Sequence, residues 1–147
     1  MMRHHLILRV VTKLLVGTII LFALYVQFHG DYSPGGGFQA GVIMAVAFIL
    51  YGIVFRLEKV QKVFPPWLVH KLAALGVVVY AGTGVASLFL GYNYLDYNAF
   101  NPEHAEAGQE LGILLVEAGV GITVTGVMVA IYYAFAARTP LIDDEEW

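Results

Sequence analysis

Four long apolar segments constrain the fold of this chain more than any other feature. A helix needs about 20 mostly apolar residues to cross a bilayer, and backbone groups in hydrocarbon must be hydrogen-bonded within the segment. The four runs lack the alternation of a barrel strand. The sequence therefore predicts an all-α integral membrane protein, with one membrane domain over residues 1–147 and four transmembrane helices. The predicted spans are residues 10–28, 38–55, 72–92 and 111–137.

The composition agrees with a membrane location. Hydrophobic residues make up 59% of the chain and charged residues only 13%, whereas a soluble domain has roughly 25% charged residues. The chain contains no cysteine, which excludes disulfides, thiolate metal ligands and cysteine nucleophiles. No A-x-A cleavage site follows the first apolar segment, so we expect that segment to be retained as a transmembrane helix rather than removed as a signal peptide.

Basic residues are confined to one side of the predicted spans. Arg3, Arg9 and Lys13 precede or open the first span, the connection 56–71 carries four further basic residues, and Arg138 follows the last span. The turn 30–37 and the connection 93–110 carry acidic charges only. Since connections rich in Lys and Arg stay in the cytoplasm, we expect both termini to be cytoplasmic. The turn 30–37 and the connection 93–110 should then face outward.

Glu117 is the charged residue that lies deepest in an apolar segment. Between Glu110 and Arg138 it is the only charged residue. Placing a charged side chain at the bilayer centre costs at least ~2.5 kcal/mol, and such residues commonly mark ion or proton pathways. Glu117 is therefore the first candidate for an ion-related role, with an ion pair to a basic residue of another helix as the alternative.

Three further glutamates precede Glu117 on the same predicted helix. The sequence Asn101-Pro102-Glu103 resembles a helix start, with Asn as the N-cap and Pro at the first helical position. If the helix runs unbroken from there, a rotation of about 100° per residue places all four carboxylates on one face. The simpler interpretation of the first three is a solvated helix start that the helix dipole favours. The four residues of this acidic lane are Glu103, Glu106, Glu110 and Glu117.

Other ionisable residues give weaker indications. Lys13 lies near the cytoplasmic end of the first span, where a long side chain can reach the interface; a part in a proton relay is the alternative. The five histidines do not form a metal or haem pattern, and the sequence lacks the P-loop, Rossmann, zincin and nucleophile-elbow motifs. We therefore expect no catalytic residue, no metal site and no nucleic-acid partner.

Small residues recur at helical spacing in three of the spans. Such stripes let transmembrane helices approach closely, so we predict that they form helix contacts within the chain or with neighbouring subunits. A four-helix unit of this size also leaves much helix surface facing outward, which favours a larger assembly. The stripes are formed by Gly41, Ala45 and Gly52, by Ala73, Gly76, Gly84 and Ser87, and by Gly112, Gly119 and Gly126.

The glycine turn between the first two spans is the most distinctive motif. No lysine accompanies its glycines, which argues against a phosphate site, whereas proline and glycine together suit a sharp turn. Without side chains, the turn also allows another backbone to approach closely, so we predict a docking turn. It consists of Pro34, Gly35, Gly36, Gly37, Phe38 and Gln39.

This turn resembles a known family signature. His29-Gly30 followed by PGGGFQAG, residues 34–41, is similar to the MnhB-like (MrpB-like) subunits of the Mrp-type (Mnh or Sha) multisubunit monovalent cation/proton antiporters, although Ala40 stands where glycine is expected. The resemblance implies an accessory subunit, needed for assembly, of a complex that exchanges Na+ for H+ across the cytoplasmic membrane. It also implies large membrane subunits similar to those of respiratory complex I as partners, the lipid bilayer as surroundings, and no cofactor besides the transported ions.

Two other functions remain open from the residues alone. One is a structural scaffold in which Glu117 forms an interfacial salt bridge and no ion passes through the chain. The other is a membrane subunit of a related energy-converting, hydrogenase-type redox complex, whose redox centres would lie in other chains. A stand-alone membrane enzyme is the least favoured alternative, because the sequence places no catalytic partner beside Glu117.

Overall fold

Five α-helices form most of the structure. A computed structural model describes residues 6–30 and 35–138; Arg3 and Pro34 lie outside these ranges. Four of the helices are long and apolar enough to cross a membrane, which confirms the predicted all-α membrane fold with four spans. The helices are α1 (Leu6–Phe28), α2 (Gly37–Phe55), α3 (Leu57–Val63), α4 (Pro66–Phe89) and α5 (Ala105–Ala136).

Three of the long helices begin four to six residues before the apolar segments that predicted them. The first predicted span begins at residue 10 and α1 at Leu6, the third at residue 72 and α4 at Pro66, and the last at residue 111 and α5 at Ala105. Polar or charged residues near these starts, such as Arg9, His70 and Glu106, lower the local hydropathy without ending the helix. In α4, Pro66 occupies the first turn, where its missing N–H costs no hydrogen bond.

The four long helices lie in a row in which α2 and α5 are the inner members. Helix α1 packs on α2, α2 on α5, and α5 on α4. Small residues lie at the crossings of α5 with α2 and with α4, as predicted. A Cβ on Gly41 would lie 2.7 Å from the carbonyl oxygen of Gly121, and a Cβ on Gly76 would overlap Thr123 and the carbonyl of Gly119.

A buried cluster fixes the short helix α3 to the base of α4 and α5. It contains Val60, Phe64, Val69, Val129 and Tyr133. The Tyr133 hydroxyl donates a hydrogen bond to the Phe64 carbonyl at 2.7 Å, so the polar tip of this buried ring is satisfied. The cluster therefore holds the α3–α4 junction against the last turns of α5.

The connection between α4 and α5 packs on glycines of both helices. It contains a short 3₁₀ helix, Tyr97–Phe100. The ring of Tyr97 lies against Gly112 and the ring of Tyr94 against Gly84, so these two glycines contact aromatic rings of the connection rather than another helix. Burial raises the pKa of the Tyr97 phenol, and Tyr80 and Tyr94 add to the shift.

The predicted start of the last helix is wrong. Helix α5 begins at Ala105, with His104 as the N-cap, so Pro102 and Glu103 precede it. The side chain of Asn101 accepts a hydrogen bond from the His104 backbone N–H at 3.1 Å, the three-residue spacing expected of a cap. Here that bond closes a turn after the 3₁₀ helix instead of opening α5.

Candidate functional site

Glu117 lies where α5 passes the glycine turn. Its side chain is half-buried. It faces Gly30, just beyond the end of α1, and Gly36 and Gly37 at the start of α2. The glycine turn and the intramembrane glutamate, which the sequence suggested as separate features, therefore form one site.

Gly30 and Gly36 leave the space that the Glu117 carboxylate occupies, and Gly37 leaves room for the backbone of Glu117. A Cβ on Gly30 would lie 2.5 Å from Oε2 and 2.9 Å from Oε1 of Glu117. A Cβ on Gly36 would lie 2.6 Å from Oε1, and a Cβ on Gly37 would overlap the backbone carbonyl of Glu117. Any side chain at these three positions would displace either the carboxylate or the α5 backbone. The wall of the site is therefore the backbone of the turn.

The start of α2 gives this wall a favourable electrostatic character for a carboxylate. Gly36 is the N-cap of α2, and its carbonyl accepts the first helical hydrogen bond from Ala40 at 2.9 Å. The leading N–H groups of a helix lack intrahelical acceptors, and the positive end of the helix dipole stabilises a nearby negative charge. Helix α2 thus provides surroundings in which Glu117 can hold its charge within the membrane.

Glu117 can bind and release a proton, or contribute oxygens to a monovalent cation. In residues 6–30 and 35–138, no group of three or more His, Cys, Asp or Glu side chains is arranged to hold a metal ion. The Glu117 carboxylate is thus a titratable oxygen pair that lies beside a helix N-terminus.

The acidic lane is shorter than predicted. Glu106 and Glu110 lie on α5 with exposed side chains, whereas Glu103 precedes the helix. A rotation of about 100° per residue still places Glu106 and Glu110 on the same side of α5 as Glu117. The turn at Asn101 separates Glu103 from this face.

Lys13 lies far from Glu117. Its Nζ is 5.8 Å from the ring centroid of Phe55, the last residue of α2, whereas Glu117 contacts Gly37, the first. The 19 residues of α2 span roughly 28 Å at about 1.5 Å per residue. The structure therefore does not bring Lys13 into the glutamate site.

The other residues of the predicted docking turn point in different directions. Gly35 has φ +154° and lies against Val26 of α1, a conformation that favours glycine. The side chains of Phe38 and Gln39 are exposed on the surface of the chain. The glycines of the turn thus face inward, whereas Phe38 and Gln39 face away from the rest of the chain.

Sequence reasoning missed Gln27. This residue lies in the last turn of α1, and a Cβ on Gly121 of α5 would lie 2.6 Å from its Oε1. In the described part of the chain its Nε2 is buried without a hydrogen-bond partner. The available signal was a polar amide within the first predicted span, which hydropathy averaging conceals.

Comparisons with known proteins agree with this architecture. Residues 7–130 match the family model described as "Domain related to MnhB subunit of Na+/H+ antiporter". A Staphylococcus haemolyticus protein named "Putative antiporter subunit mnhB2" is 35% identical over 139 residues, which cover 92% of this chain and 97% of that relative. Proteins with the same name from Staphylococcus epidermidis and Staphylococcus aureus are 34% and 35% identical over 133 residues. Each alignment covers 84% of this chain and 94% of the relative.

These similarities do not favour the hydrogenase-type alternative. The family model spans α1 to most of α5, so the match includes both the glycine turn and Glu117. With four membrane-spanning helices, and with sequence similarity over almost its whole length, the chain belongs to the family of MnhB-related domains.

Proposed function

We propose that this chain is an accessory subunit of a multisubunit Na+/H+ antiporter in the cytoplasmic membrane. Its role is in assembly of the complex and, through Glu117, in the cation or proton pathway. Support comes from its membership of the MnhB-related family and from relatives named as antiporter subunits. The transported Na+ and H+ are its only small-molecule partners in this proposal, which includes no cofactor and no enzymatic step.

The observation that carries the ion-related role is the position of the Glu117 carboxylate. It lies within the membrane-spanning part of the chain and against the first turn of α2. A surface salt bridge to another subunit would need the carboxylate to point outward, whereas this half-buried carboxylate lies against Gly30 and Gly36 of its own chain. This geometry favours a proton or cation site over a purely interfacial ion pair.

The exposed half of the turn supports the assembly role. Phe38 is 60% exposed at the start of a membrane-spanning helix, and Gln39 beside it is exposed as well. An aromatic ring and an amide together offer an apolar contact and hydrogen bonds to a neighbouring helix. We propose that they meet another subunit of the antiporter, with large subunits similar to those of complex I as the candidates.

The Glu117→Gln substitution tests the ion-related role. It removes the charge with little change in size, so we expect normal assembly and strongly reduced Na+/H+ antiport in vesicles. Losing a hydrogen bond to a charged group costs ~1.5–3 kcal/mol, which corresponds to a loss of about tenfold or more. Assembly is measured by co-purification of the partner subunits.

Glu58→Gln is the matched control, because Glu58 is an exposed carboxylate on α3 and lies outside the acidic lane. We expect this variant to assemble and transport as the unmodified complex does. Loss of co-purifying subunits in Glu117→Gln alone would contradict the ion-related role and support a scaffold. Purification of the unmodified chain as a stable monomer that is active by itself would overturn the assignment to a complex.

A further inference from the structure

Two basic side chains converge on one aromatic ring at the end of α2 remote from the glycine turn. The Arg9 Cζ lies 5.4 Å and the Lys13 Nζ 5.8 Å from the ring centroid of Phe55. Phe55 is the last residue of α2 and is only 5% exposed. Since residues four apart lie on the same face of a helix, Arg9 and Lys13 form a basic pair where α1 meets α2.

The basic pair lies in a region of excess positive charge. Like charges four residues apart on a helix destabilise it. Among residues 6–30 and 35–138, Glu58 on α3 is the only carboxylate at this end of the long helices. The other carboxylates of these ranges lie in the connection between α4 and α5 or on the first half of α5. An anion bound between Arg9 and Lys13 would offset the repulsion of the two cations.

The depth of the basic pair matches the boundary between hydrocarbon and head groups. Measured along α1 from its last residue, Phe28, Arg9 lies about 28 Å and Lys13 about 22 Å away, at roughly 1.5 Å per residue. The hydrocarbon core is about 30 Å thick. With Phe28 at one boundary, Arg9 therefore lies at the other, and the long stem of Lys13 can bring its ammonium group to the same level. Phospholipid phosphates lie at this level.

Exposed apolar side chains adjoin the basic pair. Leu6, Val10 and Leu14 of α1 are each more than half exposed, and Val10 and Leu14 directly follow the two cations in the sequence. Apolar side chains at this depth can contact the acyl chains of the bilayer. A ligand that joins a negatively charged head group to apolar chains therefore matches both parts of this surface.

We propose that Arg9 and Lys13 bind the phosphate of an anionic phospholipid whose acyl chains lie along the exposed side of α1. A guanidinium group can donate to two phosphate oxygens at once, and the lysine adds a second positive charge. Basic pockets between transmembrane helices are known to hold anionic lipid head groups. An acidic peptide segment fits less well, because contact with Lys13 would bring its backbone to the edge of the hydrocarbon. The proposal does not depend on ion transport by the chain.

Photolabelling of the assembled complex with two lipids tests the proposal. The probes are phosphatidylglycerol and phosphatidylcholine with the same diazirine beside the ester carbonyl of one acyl chain, each in vesicles of phosphatidylethanolamine. Mass spectrometry of peptides measures the labelling of Val10 and Leu14, and that of Leu75, an exposed residue at a similar distance from the start of α4. We expect the preference for phosphatidylglycerol over phosphatidylcholine to be several-fold greater at Val10 and Leu14 than at Leu75.

Single substitutions assign this preference to the basic pair. Arg9→Gln and Lys13→Gln should each lower it up to about fivefold, the gain in binding that one cation near an anionic membrane surface provides. Lys13→Arg retains the charge and should retain the preference. Lys71→Gln is the matched control, because it removes one charge on α4, where the Lys71 Nζ lies 5.0 Å from the ring centroid of Trp67. It should leave the labelling of α1 unchanged, and co-purification of partner subunits checks that each variant assembles.

Three results would overturn the proposal. One is equal labelling of Val10 and Leu14 by the two lipids in the unmodified complex. Another is a preference that millimolar inorganic phosphate abolishes, which would indicate a site for the free anion. The third is a preference that arises only after removal of residues 143–147, which would identify the acidic tail as the occupant. None of these results bears on the Glu117→Gln transport test, so the two proposals fail independently.

Discussion

The glycines of this chain differ in how much space surrounds them. At Gly17 a Cβ would meet nothing within 4 Å, whereas at Gly36 it would meet the Glu117 carboxylate. Gly36 has φ −178°, an extended conformation that any residue adopts. The requirement for glycine there is therefore one of space beside Glu117 and not of backbone freedom.

Gly36→Ala should weaken antiport without preventing assembly. The added methyl group would displace Oε1 of Glu117, and overpacking of this kind costs about 1–3 kcal/mol, of which ~1.4 kcal/mol corresponds to a tenfold loss. Antiport in vesicles and co-purification of partner subunits measure the two effects. Gly17→Ala is the matched control and should leave both unchanged. Full antiport in Gly36→Ala would show that the position of the carboxylate against the turn is unimportant.

The sequence could identify Glu117 but not its surroundings. A lone carboxylate in a long apolar run is visible from hydropathy, and the energetic cost of its burial justifies attention. Its contact with Gly36 joins residues about 80 positions apart and depends on the register between α2 and α5. Hydropathy fixes that register only loosely, because several small residues on each helix allow close approach. The burial of the Gln27 amide could not be predicted for the same reason, because it depends on which residues of α5 lie opposite Gln27.

At the level of helices, apolar runs predicted the number of spans better than their ends. The runs mark the part of each helix within hydrocarbon, but the helices themselves begin several residues earlier, as at Pro66 and Ala105. Asn101, the predicted cap, does accept a hydrogen bond from the backbone N–H of His104. It closes a turn instead of starting α5, because the 3₁₀ helix Tyr97–Phe100 directly before it already directs the chain across Gly108 and Gly112.

Close packing of α4 on α5 depends on Gly76. A Cβ there would overlap Thr123 and the Gly119 carbonyl, so Gly76→Ala should force the two helices apart. We expect the free energy of unfolding to fall by about 1–3 kcal/mol, the usual cost of overpacking. Thermal unfolding of the purified complex, followed by loss of soluble chain, measures the change.

Gly82→Ala on the same helix is the control, because nothing lies within 4 Å of a Cβ at Gly82. Glycine is about 1 kcal/mol less favourable than alanine inside a helix, so this variant should be as stable as the unmodified chain or slightly more so. Equal stability of the Gly76→Ala and Gly82→Ala variants would contradict the importance of this helix contact.

For the molecule as a whole, the row arrangement leaves extensive apolar surface uncovered. Only 11% of the apolar window of α1 is buried within the chain, against 39% for the inner helix α2. In hydrocarbon, exposed apolar surface needs no cover, and helices associate through close packing and polar contacts instead. Recognition of other subunits should therefore depend on a few exposed features such as Phe38 and Gln39, more than on the apolar area of α1.

The charge distribution predicts the orientation of the molecule. Since basic connections remain in the cytoplasm, α3 should lie inside, whereas the connection between α4 and α5 should lie outside. The chain has no cysteine, so a single introduced cysteine reports one position. Gln61→Cys on α3 and Asn93→Cys after α4 retain every charged residue and therefore leave the orientation signal intact.

A membrane-impermeant maleimide should label Asn93→Cys in intact cells. Gln61→Cys should react only after the membrane is permeabilised, and its reaction at that stage is the control that its thiol is accessible. Labelling of Gln61→Cys in intact cells, with Asn93→Cys protected, would reverse the proposed orientation. Such a reversal would place the glycine turn and the Glu117 end of α2 at the cytoplasmic face, and any ion bound at Glu117 would then reach it from the cytoplasm.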